Sequence, residues 1–301
     1  MLDPVHVIGA SGRSGLALCR SLLADGIPVV PVVRTPAKWQ ASGLPGSPRQ
    51  ADLRAPDKRT GDALAGTTVA GNALAAALEG ASRIVSCAHA RHTPAIIAAA
   101  PATARLVLLG STRKFTRWPD AHGNGVLAGE AALLSSLRSG VMLHPTMIYG
   151  AHGEDNVRRL AALLRRLPVL PLPGGGRFLV QPIHQDDVTR CIRRALDHPW
   201  DGPNALVIAG PDPVRYADFV RAIAAAAGLR KPFILPFPAG PLIVAARLTR
   251  HVTALPTIRP EEIRRLVEDK AFDIGPMREL LLVEPVPLEK GLALTFAPPH
   301  E

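Results

Sequence analysis

Val5-His6-Val7-Ile8-Gly9-Ala10-Ser11-Gly12-Arg13-Ser14-Gly15, only a few residues into the chain, decides how the rest is read. A short apolar run ends in three glycines spaced G-x-x-G-x-x-G, and Leu16-Ala17-Leu18-Cys19 then opens a helical pattern. The order is that of a strand, a tight turn and the first turn of a helix. Glycine lets the backbone take positive φ and lets a ligand approach where a Cβ would collide. The N–H groups and positive dipole end of the helix then face the gap, which suits a pyrophosphate. The strand before and the helix after raise the triplet above the chance pattern of an Ala/Gly-rich chain. Gly9, Ser11, Gly12, Arg13, Ser14 and Gly15 are therefore candidates for a dinucleotide cradle; the alternative is an ordinary tight strand-to-helix turn.

The 301 residues suffice for one large α/β domain with an appended lobe, or for two domains. A hydrophobic content of 47% supports a sizeable core, and with 4% aromatic residues aliphatic and alanine packing must fill it. The net charge of +10 suits an anionic partner. Its distribution argues against nucleic acid. Arg158-Arg159, Arg165-Arg166, Arg193-Arg194 and Arg264-Arg265 are helix-face doublets without interleaved aromatics, and no nucleic-acid module accompanies them. The three cysteines, Cys19, Cys87 and Cys191, are far apart in apolar patterns, which predicts buried free thiols in a reducing compartment and no metal site. No basic region followed by an apolar stretch marks a signal peptide. The most apolar late segment, Pro241 to Leu248, is far short of the ~20 residues that span a bilayer. A soluble cytoplasmic protein is expected, with the basic apolar stretch Pro241 to His251 as a candidate for membrane-surface contact. Oligomeric state has no signal in the sequence.

Outward from the glycine turn, the helix runs to Asp25-Gly26, where glycine supplies the stop. Val29 to Val33 is a second strand, with Pro31 pointing to an edge or an irregular spot. Arg34 stands at its end, followed by Lys38. About 20 residues past such a turn an acidic residue holds a ribose 2′-hydroxyl, whereas a basic one accommodates a 2′-phosphate. Arg34 and Lys38 favour NADP(H), with NAD(H) the second choice, unless they are ordinary surface cations. Gln50 to Leu53 ends a third strand, residues 54–71 suggest a loop, and Asn72–Leu78 a short helix. Arg83 to His89, Arg105–Leu109 and Val141–His144 are further strands, the last running into Pro145. Strands alternating with helices at this spacing predict a doubly wound parallel sheet, with the glycine turn at one end and ligands beyond the carboxyl ends of the strands. Arg34, Asp52, Cys87, Ala88, His89, Ser111, Thr112 and Pro145 stand there. Beyond Gly150 the pattern gives a helix over Asn156–Leu167, a Pro/Gly loop over Pro168–Gly176, a short strand at Phe178–Val180 and a helix from Asp186 to Leu196. A strand at Ala205–Ile208, a helix at Tyr216–Ala227 and a small, mostly helical tail follow. Residues 1–150 are expected to form the dinucleotide-binding domain. Residues 151–301 should complete the sheet and form a smaller substrate lobe.

With these motifs in hand, the chain resembles the short-chain dehydrogenase/reductase superfamily in its extended or atypical branch, which includes epimerase/dehydratase-like and NmrA-like NAD(P)H-binding proteins. The likeness rests on Gly9 to Gly15 followed by Val32 to Lys38, and on Asp52-Leu53, which such proteins place beside the adenine. His144-Pro145-Thr146-Met147-Ile148-Tyr149-Gly150 is similar to an Arg-Pro-x-x-x-Tyr-Gly segment, with His144 in place of Arg. Gln181 to Val188 is similar to a V-H-V-x-D-V motif of the substrate lobe. The resemblance implies a Rossmann fold, a bound NADP(H) and a small carbonyl or sugar-like substrate.

The departure concerns the Tyr-x-x-x-Lys dyad that the family carries on the helix after the fifth strand. With Glu130 aligned on the Glu that follows it, Val126 takes the Lys position and His122 the Tyr position. Three residues are candidates to handle a substrate oxygen. Ser111 stands where the family places a substrate-orienting serine, and could equally be a turn cap. His122 could be a general acid/base or a solvated histidine in a flexible loop over Asp120–Gly125. Lys114 could place an ammonium near the nicotinamide, as in isoflavone-reductase-like relatives, or be a surface cation. His89 and His92 are expected in the cofactor groove. Loss of the dyad leaves open a second class: a catalytically silent NADP(H)-binding sensor or scaffold protein.

Overall fold

The computed structural model describes residues 3–53, 73–150, 155–167, 169–243 and 260–297. Seven strands form the central sheet: β1 (Val5–Ile8), β2 (Val29–Val33), β3 (Arg49–Gln50), β4 (Arg83–Ser86), β5 (Arg105–Leu109), β6 (Gly140–Pro145) and β11 (Pro203–Ile208). Their order is β11-β6-β5-β4-β1-β2-β3, and every pairing is parallel. This is an α/β fold with a doubly wound parallel sheet. The chain runs outward from β1 to β3 on one side and from β4 to β11 on the other. The strand order reverses between β1 and β4, the place where such sheets open a crevice. The glycine turn thus belongs to an inner strand, which corrects its expected position at one end of the sheet.

Strand alternation sorts the core into two layers. Val5, Val7, Val85, Val107, Val141 and Leu143 pack on α1 (Arg13–Ala24), α2 (Pro36–Gln40), α7 (Gln185–Asp197) and the helix Gly275–Leu281. Ile8, Val32, Ile84, Leu106, Leu108 and Met142 pack on the short helix of residues 73–77 (α3), α4 (Thr93–Ala99) and α5 (Ala121–Ser135). Pro31 fits without loss of a ladder bond. The Pro28 and Val32 carbonyls face β1, where they accept the Val5 and Gly9 N–H groups at 2.9 Å. The missing N–H of Pro31 therefore turns to the β3 side, and β3 pairs only with Val32 and Val33.

A third cluster lies in the later half of the chain. Val157, Ala161 and Leu164 of α6 (Asp155–Arg166) meet Phe219, Val220 and Ile223 of α8 (Tyr216–Ala226) and Leu292 of the helix Leu288–Phe296. Three two-stranded ribbons join them: β7 (Ile148–Tyr149) with β10 (Ile183–His184), β8 (Val169–Pro173) with β13 (Phe233–Phe237), and β9 (Leu179–Val180) with β12 (Val214–Arg215). The Pro/Gly loop expected at Pro168–Gly176 is corrected by β8, whose parallel partner, β13, lies more than sixty positions later in the chain. Prolines at 171 and 173 are tolerated because the ribbon has only one ladder to satisfy.

Cys19 and Cys191 are buried and Cys87 half-buried, all as free thiols. Burial raises all three pKa values, those of Cys19 and Cys191 to about 12. No helix among the described residues is long and apolar enough to cross a membrane. Most of Pro241 to His251, the loop expected over residues 54–71, and Asn72 lie outside the described residues.

Candidate active site

The glycine turn is built by close contact. Gly9 takes φ +77°, and a Cβ on Gly15 would stand 2.2 Å from the Gly9 carbonyl oxygen. Helix α1 therefore starts against the turn itself. It begins at Arg13, with Gly12 as N-cap and no side-chain cap on its first N–H groups. Ser14 Oγ donates to Gln185 Oε1 at 3.1 Å, tying the turn to α7. The exit of β4 closes one flank: a Cβ on Gly9 would stand 3.3 Å from the Ala88 nitrogen and 3.4 Å from the Cys87 carbonyl carbon. Arg34 and Lys38 are exposed beyond the end of β2, and Asp52 and Leu53 follow β3 half-buried. His92 lies against that pair; burial first, and Arg91 second, lower its pKa.

A polar network underlies the turn after β5. The Ser111 N–H donates to His144 Nδ1 at 3.2 Å, so the ring proton sits on Nε2, 2.9 Å from Glu130 Oε2. Burial above all, then the Lys114 ammonium, lower the His144 pKa to about 4, so the ring is neutral at neutral pH. Ser111 Oγ accepts the Arg113 N–H at 3.2 Å, capping the turn Thr112–Phe115, while its own O–H stays available as a donor. The Thr112 hydroxyl donates to the Pro145 carbonyl at 3.2 Å. Lys114 is not a surface cation: its side chain is 10% exposed and its Nζ is paired with Glu130.

His122 stands on a helix, not in a loop. Asp120 caps α5 by accepting the Gly123 N–H at 2.8 Å, and Arg113 Nε holds its other oxygen at 2.7 Å. The glycines that suggested a loop, Gly123 and Gly125, serve packing instead, because Cβ atoms there would stand 3.0 Å from the Arg113 carbonyl oxygen and 2.9 Å from His89 Cε1. One turn further, a Cβ on Gly129 would stand 2.0 Å from the Ala90 carbonyl oxygen. That contact sets α5 against the turn Ala90–His92, and it brings His122 Nδ1 to 3.1 Å from His89 Nε2. His89 Nδ1 accepts the Arg91 N–H at 3.1 Å, so the His89 proton is on Nε2 and is donated to His122. The His122 proton is left on Nε2. Burial, then the neighbouring ring, lower the His89 pKa to about 4; burial, then Arg113, lower that of His122. Val126, one turn on, is buried in the apolar layer.

A cleft of about 320 Å³ opens beyond β5 and β6, with Ser111, His122, Thr146, Lys270 and Phe272 on its walls. The wall that carries Lys270 and Phe272 is tied to Leu179 and Gln181. The Lys270 N–H donates to the Leu179 carbonyl at 2.9 Å, and the Leu179 N–H to Asp269 Oδ1 at 2.8 Å. The Phe272 N–H donates to Gln181 Oε1 at 2.7 Å, while Gln181 Nε2 donates to the Gly210 carbonyl at 2.8 Å. Lys270 Nζ donates to the Arg265 carbonyl at 2.9 Å, and burial lowers its pKa to about 8. Sequence reasoning missed Lys270. Glu268-Asp269-Lys270 matches no motif, and its partners lie some 90 to 150 positions away.

No family model matches the sequence, and no curated protein matches it. Solved structures do match in fold. UDP-glucuronic acid 4-epimerase from Bacillus cereus, in complex with UDP-glucuronic acid and NAD, superposes with a TM-score of 0.69 at 16% identity, over 97% of this chain and 98% of that one. MoeE5 in complex with UDP-glucose and NAD gives 0.67 at 19% identity, over 98% and 97%. The NADPH-dependent quinone oxidoreductase QOR2 of Escherichia coli, complexed with NADPH, gives 0.71 at 18% identity, over 97% and 100%. All three neighbours were solved with NAD or NADPH bound. At these identities the shared property is the fold.

Proposed function

We propose that the chain is an NADP(H)-binding reductase or epimerase-like enzyme acting on a small carbonyl or sugar-like compound. The observation that carries this reading is the place of the cleft: Ser111 and His122 line it on the same edge of the sheet as the glycine turn. The cradle suits the cofactor, since the tight Gly9–Gly15 approach and the α1 N-terminus leave backbone N–H groups for a pyrophosphate. Arg34 and Lys38 would hold a 2′-phosphate, Asp52 and Leu53 the adenine side, and Cys87, Ala88, His89 and Pro145 the groove. NAD and NADPH in the neighbouring structures agree with such a site. Residues 1–150 would carry the cofactor and the later half the substrate.

A bound nicotinamide supplies or accepts hydride. The chain's own part is to polarise the carbonyl oxygen, through the Ser111 O–H and the His122 Nε2–H. A neutral imidazole serves as such a donor when its pKa is held low. The test is titration with NADPH and NADH by fluorescence, then NADPH oxidation across carbonyl and nucleotide-sugar panels. NADPH should bind more tightly, with a turned-over carbonyl losing rate in Ser111→Ala and His122→Phe; tighter NADH binding would sink the reading of Arg34. Val126, apolar and buried where the dyad's lysine would stand, favours a second reading as a silent NADP(H)-binding sensor or scaffold. Binding without turnover of any panel member would select it.

A further inference from the structure

Charge in the cleft is unbalanced in a specific way. Arg113, Arg117, Arg265 and Lys270 line it, with Glu268 and Asp269 as the acidic residues among its described walls. Both carboxylates are engaged in holding the walls. Glu268 accepts the Thr116 hydroxyl at 2.9 and 3.0 Å and the Arg117 N–H at 2.7 Å, and Asp269 accepts the Leu179 N–H. Asp120 neutralises Arg113 from outside the cleft. Lys270 Nζ, by contrast, donates to a neutral acceptor, the Arg265 carbonyl. An ammonium has three donors, so this bond leaves two for a ligand. Glu268 favours its charged form from nearby, while Arg265 and Arg113 oppose it. A half-buried ammonium among arginines is relieved by an incoming anion. The glycine turn contributes nothing to the walls, so phosphates seated on that turn would not meet this charge.

We propose that the small carbonyl substrate carries an anionic group, a carboxylate or a phosphate, and that Lys270, lining the same cleft as Ser111 and His122, binds it. The volume, near the low end for ligand pockets of roughly 300–1,000 Å³, suits a compound of that size. The proposal rests on the proposed function for the carbonyl, but the anion subsite stands on the cleft alone.

Calorimetric titration, with and without NADPH, of carbonyl pairs that differ in charge tests it: pyruvate against methyl pyruvate, and dihydroxyacetone phosphate against dihydroxyacetone. In at least one pair the anion should bind about tenfold more tightly or better. That preference should vanish in Lys270→Met and persist in Lys270→Arg, and the pair that shows it tells carboxylate from phosphate. Equal binding of charged and neutral partners, no binding by either anion, or a preference that survives Lys270→Met overturns the proposal. Should Lys270→Met fail to fold by circular dichroism, the wild-type preference is read against NaCl. It should shrink with salt, and a salt-independent preference overturns the subsite. Absence of NADPH binding counts against the proposed function alone, because the titration without cofactor still reads the anion.

Discussion

His89 Nε2 and His122 Nδ1 lie 3.1 Å apart, joining the exit of β4 to the first turn of α5. Because the Arg91 N–H already occupies the other nitrogen of His89, the direction of proton donation along the pair is set. His122 should therefore show the Nε2–H tautomer in long-range proton–nitrogen NMR spectra at pH 7. His89→Ala should convert it to a mixture of tautomers and move its titration up toward the usual histidine range. An Nδ1–H tautomer in the wild type would contradict the geometry.

His144 makes stability depend on pH. Its folded pKa, about 4, lies below the unfolded value of about 6.5, so the unfolded chain takes up the proton first. The contribution is complete above pH ~6.5 and is lost as pH falls through ~4. The stability difference between wild type and His144→Gln should be largest at pH 7 and shrink toward pH 4 in urea unfolding. A difference that grows on acidification would reverse the assignment.

The Lys114–Glu130 pair is enclosed, with side chains 10% and 16% exposed. Removing one partner leaves the other charge buried, which costs roughly 3–5 kcal/mol. Glu130→Leu should approach that loss in denaturant unfolding, and adding Lys114→Met should recover much of it. Strict additivity of the two losses would show that they do not act as a pair.

Gly15→Ala tests the cradle. Its Cβ would stand 2.2 Å from the Gly9 carbonyl oxygen, a backbone atom that cannot yield cheaply. Overpacking of this kind costs about 1–3 kcal/mol, and the displaced turn should weaken NADPH binding at least tenfold by fluorescence titration. Unchanged binding would place the cofactor elsewhere.

Arg34→Ala should weaken NADPH by about ten- to a hundredfold, as expected for loss of a charged hydrogen bond, and leave NADH almost unchanged. Equal losses for both cofactors would assign Arg34 to something other than the 2′-phosphate.

Much of the architecture was legible because its signals are local. The apolar run before Gly9, the stop at Gly26 and the runs at Arg105–Leu109 and Val141–His144 each carry their physics within a few residues. The start of α5 reads as a loop for the opposite reason. Gly123 and Gly125 look like loop residues until Arg113 and His89 are brought against them, and nothing in Asp120–Gly125 itself announces those contacts. The enclosure of Lys114 is likewise invisible locally, because its partner, Glu130, lies on the next helix.

The strand–turn–helix at Val5 to Gly15, the parallel α/β class and the absence of a Tyr-x-x-x-Lys dyad are written in the chain's local pattern. These follow from side-chain periodicity, the steric freedom of glycine and the residues present. Tertiary structure alone decided that β1 is an inner strand, that His122 is paired with His89, and that Lys270 faces the same cleft as Ser111. Each depends on contacts between segments distant in the chain, and such contacts are chosen by the packing of whole layers, which no local period encodes.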